Sequence, residues 1–460
     1  MGCDNWFGYC GKPGFWSSME LSLTDLSDLV TVAEVVQAPA GQQRRAPIRC
    51  LWLAREMPYP VNSGDRAYTG NLAAALSNAG VELHYVGLAA AVGAQAPTEW
   101  PIRWIPVAGT RKPYALALFS RQPFVSAAHA TSRHRRRLAA LLKQRWDAIV
   151  LDNYGSGWAL GAVCRSIGGA AQRPVLVHIA HNHEESLSHS LYRAYQGSLL
   201  KRLALYQNHI KILRLERALV RKADLVTAIT EEDRRAFSRL APKQRFLVLP
   251  PGFSGWVAPP RVIGADTPRS VVLIGSFRWV VKMENLRRVI RVMDPIFYQN
   301  GITLNVVGDV PERLLDELRP IARASCFHGF VADVVPYLQS ARTALVPEVI
   351  GGGFKLKLLD YIFGRVPVAT IAVAAAGLPA EIQANMLSEG SLEELAREVV
   401  ANIDNLPLLN RMQQRAFEGA ASLFDWRDRG RALQCAIRDI TEARSATVNA
   451  TAPLPDRSPA

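Results

Sequence analysis

Short runs of consecutive apolar residues alternate along this chain with longer stretches in which apolar positions recur at helical spacing, and glycine or proline stands at most of the changeovers. The first run, IRCLWLA at 48–54, is followed by the punctuation MPYPVNSGDR. A helix is predicted from near Asp65, with Leu72, Ala75 and Leu76 on one face, and VELHYVG at 81–87 returns as a strand. Strand, loop, helix and strand of these lengths make a parallel βαβ unit. The same alternation predicts strands at 147–153, 174–180, 224–230 and 246–249, a long helical stretch over 199–223, and a capped helix start at Thr230. Pro250, Pro251 and Gly252 then interrupt it. Beyond a polar linker around 259–269, strands are predicted at 270–276, 302–308, 324–330, 343–349 and 366–372, with helices from about Glu284, after Val310, near 334–339 and up to Phe363. Alternation this regular builds doubly wound parallel sheets.

A chain of 460 residues is too long for one ordinary core. The expected division is a first α/β domain over 46–254, a second over 255–425, and a helix over 426–443 that returns to brace the first. Residues 1–45 carry no basic segment followed by an apolar core and read as a poorly ordered extension, or as sequence upstream of a start near Met19. The polar, proline-rich stretch 444–460 reads as a disordered tail. A hydrophobic content of 49% with 20% charged residues is that of a soluble globular protein, and no apolar run approaches the roughly 20 residues of a spanning helix. The six cysteines are scattered, with no Cys-x-x-Cys pair, which fits a reducing cytoplasm better than a disulfide framework or a zinc knuckle.

Two such sheets in tandem place the carboxyl ends of their strands, and hence their crevices, face to face across a cleft. The loops at those ends are 58–65, 152–157 and 181–184 in the first lobe, and 275–282, 308–309 and 348–357 in the second. Gly351, Gly352 and Gly353 form the sharpest of them, because three residues without Cβ let backbone N–H groups approach an anion. Lys355 and Lys357, just after Phe354, oppose the dipole of the helix that follows unless an anion binds there. The alternative is a tight turn without a ligand. Lys282, with Arg278 nearby and Gly275 at the start of its loop, could reach a diphosphate, or could be a solvated lysine. Asp360 could accept from ribose hydroxyls, or be an exposed helix residue. His181 could point into the cleft, or be a satisfied structural histidine. His178, His181 and His183, with Glu184 and Glu185, have the spacing of metal ligands, but the other strand ends offer no completing set. With neither a P-loop nor an Asp-x-Asp triplet, no obligatory metal and no cofactor are expected.

The segments PYPVNSGDRAYTGNL, HIAHNHEES, DLVTAITEED and VLPPGF, then LIGSFRW with Lys282, LNVVGD, FHGFVADVVPYL and GGGFKLKLLDYIFGRVPV, together resemble the retaining group 1 glycosyltransferases of bacterial exopolysaccharide and lipopolysaccharide synthesis, over roughly 48–440. The resemblance implies the GT-B fold, two doubly wound Rossmann-like domains facing across a cleft. It implies a hexosyltransferase that takes a UDP- or GDP-linked sugar to a glycan or lipid-linked acceptor, with same-face attack by the acceptor hydroxyl and retention. The second lobe would then hold the nucleotide and the first the acceptor. Gly64 and Asp65 would lie near the donor phosphate, His181 near the transferred sugar, and Lys282, Arg278 and the glycine-loop amides would neutralise the leaving diphosphate. Of the family's paired glutamates, the second falls on Asp360 and the first on Gly352, so one carboxylate is missing; the family's arginine falls on Ser276, with Arg278 as its substitute.

A net charge of +14 calls for an anionic partner. Lys201, Arg202, Lys211, Arg214, Arg217, Arg221 and Lys222, interleaved with leucines and isoleucines, could rest on an anionic membrane, supported by Arg133, Arg135, Arg136 and Arg137; otherwise their helix has a solvated outer face. A peripheral place on the inner face of the cell membrane follows from the first reading. A nucleotide-sugar epimerase shares the two-lobed architecture and needs no acceptor. A basic nucleic-acid-binding protein is the non-enzymatic rival, but no aromatic-basic module or zinc finger supports it, and no nucleic-acid partner is expected.

Overall fold

The computed structural model describes residues 47–61, 63–89, 94–169, 172–195, 197–349 and 353–451. The expected extension over 1–45, Gly351, Gly352 and the end of the tail lie outside the described residues. The first lobe carries β1 (Arg49–Glu56), β2 (Glu82–Leu88), β3 (Ile102–Val107), β4 (Ala148–Asp152), β5 (Val175–Ile179), β6 (Leu225–Ala228) and β7 (Phe246–Val248), hydrogen-bonded in the order β3-β2-β1-β4-β5-β6-β7. The second carries β8 (Ser270–Ile274), β9 (Thr303–Val307), β10 (Ser325–Gly329), β11 (Thr343–Val346), β12 (Val368–Ile371) and β13 (Leu387–Glu389), in the order β10-β9-β8-β11-β12-β13. Every pairing is parallel. The winding reverses between β1 and β4 and again between β8 and β11, and a crevice opens outside those strand ends.

Helices cover both faces of each sheet, which is why the central strands read as unbroken apolar runs. Along β1, Leu51 and Leu53 join one core with Ile149 and Leu151, while Cys50 and Trp52 join the other with Val150 and Val177. Two strands escape the sequence pattern, and both are edge strands. In β3 the apolar run is broken by Pro106, a residue that donates no N–H and is tolerated only at an edge; β13 is three residues long. The helix expected from Glu284 spans Val280–Gln299, so Lys282 stands in its first turn and not in a loop.

The last helix, Trp426–Thr451, runs beyond residue 443 and lies along helix Gly64–Asn78 of the first lobe. Leu433, Ile437 and Ile440 fill the first lobe's core from outside, and Trp426 covers Gly252 at the crossover between lobes. Gly430 marks the closest approach, since a Cβ there would fall 2.1 Å from the Ala75 carbonyl oxygen. Gly430→Ala should force the two helices apart at an overpacking cost of about 1–3 kcal/mol. A clear drop in melting temperature is the expected result, with Gly168→Ala, where a Cβ meets nothing within 4 Å, unchanged as the control.

Candidate active site

On the first lobe, His181 follows β5 and is buried. Its Nε2 lies 2.8 Å from Oδ1 of Asp152, the last residue of β4, and Thr69 of helix Gly64–Asn78 donates to Oδ2 of the same carboxylate at 2.8 Å. A carboxylate accepts, so the shared proton sits on Nε2 and the ring is fixed in one orientation. Tyr68 packs its ring edge-on against His181 with centroids 5.2 Å apart, and sends its hydroxyl to the Leu249 carbonyl at 2.8 Å. The three histidines part company: His178 contacts the Leu151 carbonyl through Nδ1, and His183 contacts the Ser186 hydroxyl. His183, Glu185 and Glu216 bring ligand atoms within 4.8 Å of one another, the one such group among the described residues. Glu216 already accepts the backbone N–H groups of Glu184 and Glu185 at 2.7 and 2.8 Å, and Arg217 pairs with Glu185 at 3.2 Å. Burial, with the neighbouring Glu184, pushes the Glu216 carboxyl up to about 8.

On the second lobe a small pocket opens at the switch point between β8 and β11, lined by Gly275, Phe277, Lys282, Asn285, Glu348 and Lys357. Lys357 forms an ion pair with the buried Glu348. Burial would raise the Glu348 carboxyl, but Lys357, Lys355 and Lys282 together outweigh it and hold it below the usual range. Burial brings the Lys282 amine down to about 8, with Lys357 and Lys355 adding to the effect and Glu348 opposing it. Lys355 is likewise lowered, chiefly by burial, and its Nζ donates to the Gly353 carbonyl at 3.0 Å. Three lysines thus surround one carboxylate.

The two sides meet at Gly353. It has φ +64°, and a Cβ on it would fall 2.3 Å from Oδ1 of Asn182 and 3.1 Å from the carbonyl oxygen of His181. Phe354 packs against the cores of both lobes. Gly64, at the start of its helix, faces Leu356, which a Cβ would meet at 3.1 Å. His181, Gly64, Gly353, Phe354, Lys355, Lys357, Lys282 and Gly275 are therefore brought to one cleft. Three others have different surroundings. Asp65 is held in an ion pair with Arg55; Arg278 is exposed, pairs with Asp309 and does not line the lysine pocket. Asp360 sits below the lobe crossover, its Oδ1 3.6 Å from where a Gly255 Cβ would be, and burial pushes its carboxyl up to about 7 against the pull of Lys357. The sequence singles out neither Asp152 nor Thr69, whose partners lie far along the chain, nor Asn182 and Glu348; an acid at a strand end is the available signal for Asp152 and Glu348.

Two family models match the chain lobe by lobe: a glycosyl transferase 4-like domain over residues 63–252 and glycosyl transferases group 1 over 268–405. The chain is a group 1 glycosyltransferase. No curated protein matches its sequence. Among solved structures this transferase is similar to WaaG, a glycosyltransferase involved in lipopolysaccharide biosynthesis, with 18% identity and a TM-score of 0.55 over 85% of this chain and 99% of WaaG. It is similar also to the α,α-trehalose 6-phosphate synthase of Burkholderia multivorans, with 12% identity and a TM-score of 0.59 over 89% of this chain and 100% of that one. HepE of Anabaena, solved with UDP and glucose, shares 15% identity with a TM-score of 0.53 over 87% and 100% of the two chains. These likenesses establish the GT-B fold for the glycosyltransferase.

An amine held near 8 is largely deprotonated at a pH where ordinary lysines, at about 10.4, are not. Trace acetylation of the transferase across pH 6–11, read by peptide mass spectrometry, should therefore give Lys282 a midpoint near 8.

Proposed function

We propose that the glycosyltransferase takes its sugar from a nucleoside diphosphate donor seated on the second lobe, and passes it to an acceptor held by the first. The lysine pocket carries this reading. Lys282 and Lys357 line the pocket together with Glu348, Lys355 adds to the positive charge beside them, and cations gathered at a switch point suit a diphosphate. As the glycosidic bond breaks, negative charge gathers on the leaving diphosphate while the sugar becomes oxocarbenium-like, and fixed cations in a partly dried cleft stabilise that separation more than they stabilise the bound donor. The uncapped first turn of helix Gly64–Asn78 brings backbone N–H groups to the same cleft, on the side of Leu356. His181, locked by Asp152 and Thr69, lines the acceptor side. Retention, by same-face attack of the acceptor hydroxyl, rests on the group 1 resemblance.

The acceptor, in this reading, is lipid-linked or a glycan in cell-surface polysaccharide synthesis, and the enzyme sits on the inner face of the membrane. No helix among the described residues is long and apolar enough to cross a bilayer. Support for surface binding is narrower than the basic helix suggested. Lys211 is buried and donates to the Ala117 and Leu118 carbonyls, so the middle of helix Leu199–Lys222 is structural. Its start is different: Leu200 is 82% exposed beside exposed Lys201 and Arg202, and the adjoining turn Tyr114–Phe119 leaves Phe119 93% exposed. Apolar side chains flanked by cations fit the interface of an anionic bilayer.

Thermal stabilisation by UDP, GDP and their sugar conjugates tests the donor, since a ligand at a hundred times its Kd adds about 2.7 kcal/mol. One nucleotide should raise the melting temperature of the wild type, and Lys282→Ala should weaken its binding about ten- to a hundredfold, the loss of one charged hydrogen bond. No stabilisation by any of them at millimolar concentration would refute the donor reading. For the membrane, the protein should sediment with phosphatidylglycerol vesicles and less with phosphatidylcholine. Phe119→Ser with Leu200→Ser should cut that binding more than tenfold, each buried side chain contributing about 1.5–3 kcal/mol, while nucleotide binding stays as it was. Undiminished sedimentation of the double variant would rule out insertion at this edge.

A further inference from the structure

Glu348 follows Pro347 at the end of β11, is 9% exposed, and has one carboxylate oxygen in use. Oε1 takes the ammonium of Lys357. Oε2 is buried and meets no hydrogen-bond donor. An orphaned buried acceptor costs about 1–3 kcal/mol, more when charged, so a carboxylate oxygen kept this way beside a small pocket points to a donor from outside the protein. The surroundings narrow what that donor is. Three lysines already answer the charge of Glu348, so a further cation has little to gain there. A diphosphate carries no proton to donate at neutral pH and is repelled by a carboxylate; its place is on the lysines. What remains, in a pocket that also contains the strand-end Gly275 and the amide of Asn285, is a neutral group with O–H to give. The donor's sugar carries such groups, tethered to the diphosphate.

We propose that Glu348 accepts a hydroxyl of the donor sugar, reading the sugar while the lysines around it read the diphosphate. The inference rests on the nucleotide-sugar reading above and assigns the sugar contact within it. It also places a carboxylate in the donor crevice of a chain whose glycine loop has Gly352 where its relatives carry one. The bland alternative is that Glu348 only holds Lys357 in position, and the two make different demands on the ligand.

Glu348→Gln separates them, because glutamine keeps the shape and can still accept from Lys357. Titration calorimetry would compare free UDP and GDP with UDP-glucose, UDP-galactose and GDP-mannose on wild type and variant, after the unliganded melting temperature has shown both to be folded. The variant should bind the free nucleoside diphosphate as tightly as the wild type or more so, having lost a negative charge beside it. It should bind the matching sugar conjugate about ten- to a hundredfold more weakly, with kcat/KM falling in step. Free nucleotide and sugar conjugate weakening together would assign Glu348 to the lysines alone and overturn the proposal, as would no change in either. A wild type that binds none of the nucleotides would instead refute the donor reading itself.

Discussion

The packing of Gly353 against the backbone of His181 and the side chain of Asn182 is where the two lobes become one site. Each sheet alone has only a shallow crevice outside its reversal point. A closed site needs the loop after β11 to reach the loop after β5, and the space between them admits no Cβ. The left-handed backbone at Gly353 is the one that a side chain would resist. Everything around the contact is consistent with that approach: Phe354 fills the seam between cores, Leu356 covers Gly64, and the terminal helix ties the second lobe's end to the first lobe's opening helix.

Burial also sets the electrostatics beside this seam. Lys282, Lys355 and Glu348 lie largely out of water, and burial is the largest influence on each of them. Burying like charges beside one another is costly, and Lys357 and Lys355 both act against the charged form of Lys282. The protein lessens the cost by letting Lys282 release its proton at about pH 8, below the range of ordinary lysines. An anionic ligand would reverse that shift, because a diphosphate in the pocket favours the charged amine. Binding of such an anion and protonation of Lys282 would thereby be linked, each strengthened by the other.

Much of the fold is legible in the sequence because its central strands are covered on both faces: β1, β4 and β8 have apolar cores, β5 is apolar but for His178, and their order implies the winding. Thr230 is visible as a cap from its own neighbours, and it does accept the Asp233 N–H. Legibility fails where the deciding partner is distant. Asp152 and His181 are joined across the sheet with Thr69 from a third element, and no local pattern announces the trio. Lys211 belongs to the basic series by composition, yet it is buried because two carbonyls of the turn at 114–119 happen to face it. Arg278 lies close to Lys282 in sequence, but the helix that starts between them turns the two in different directions, one to Asp309 and the other to the lysine pocket.

A carboxylate on a strand end is a different instrument from one on a loop. Glu348 stands two residues past the last paired position of β11, whose register is set on one side by β8 and on the other by β12. Its position is therefore fixed before any donor arrives, and the ordering cost of placing it has already been met in folding. Three consecutive glycines follow Ile350 in the sequence, and the last of them, Gly353, is where the second lobe packs against His181 and Asn182 of the first.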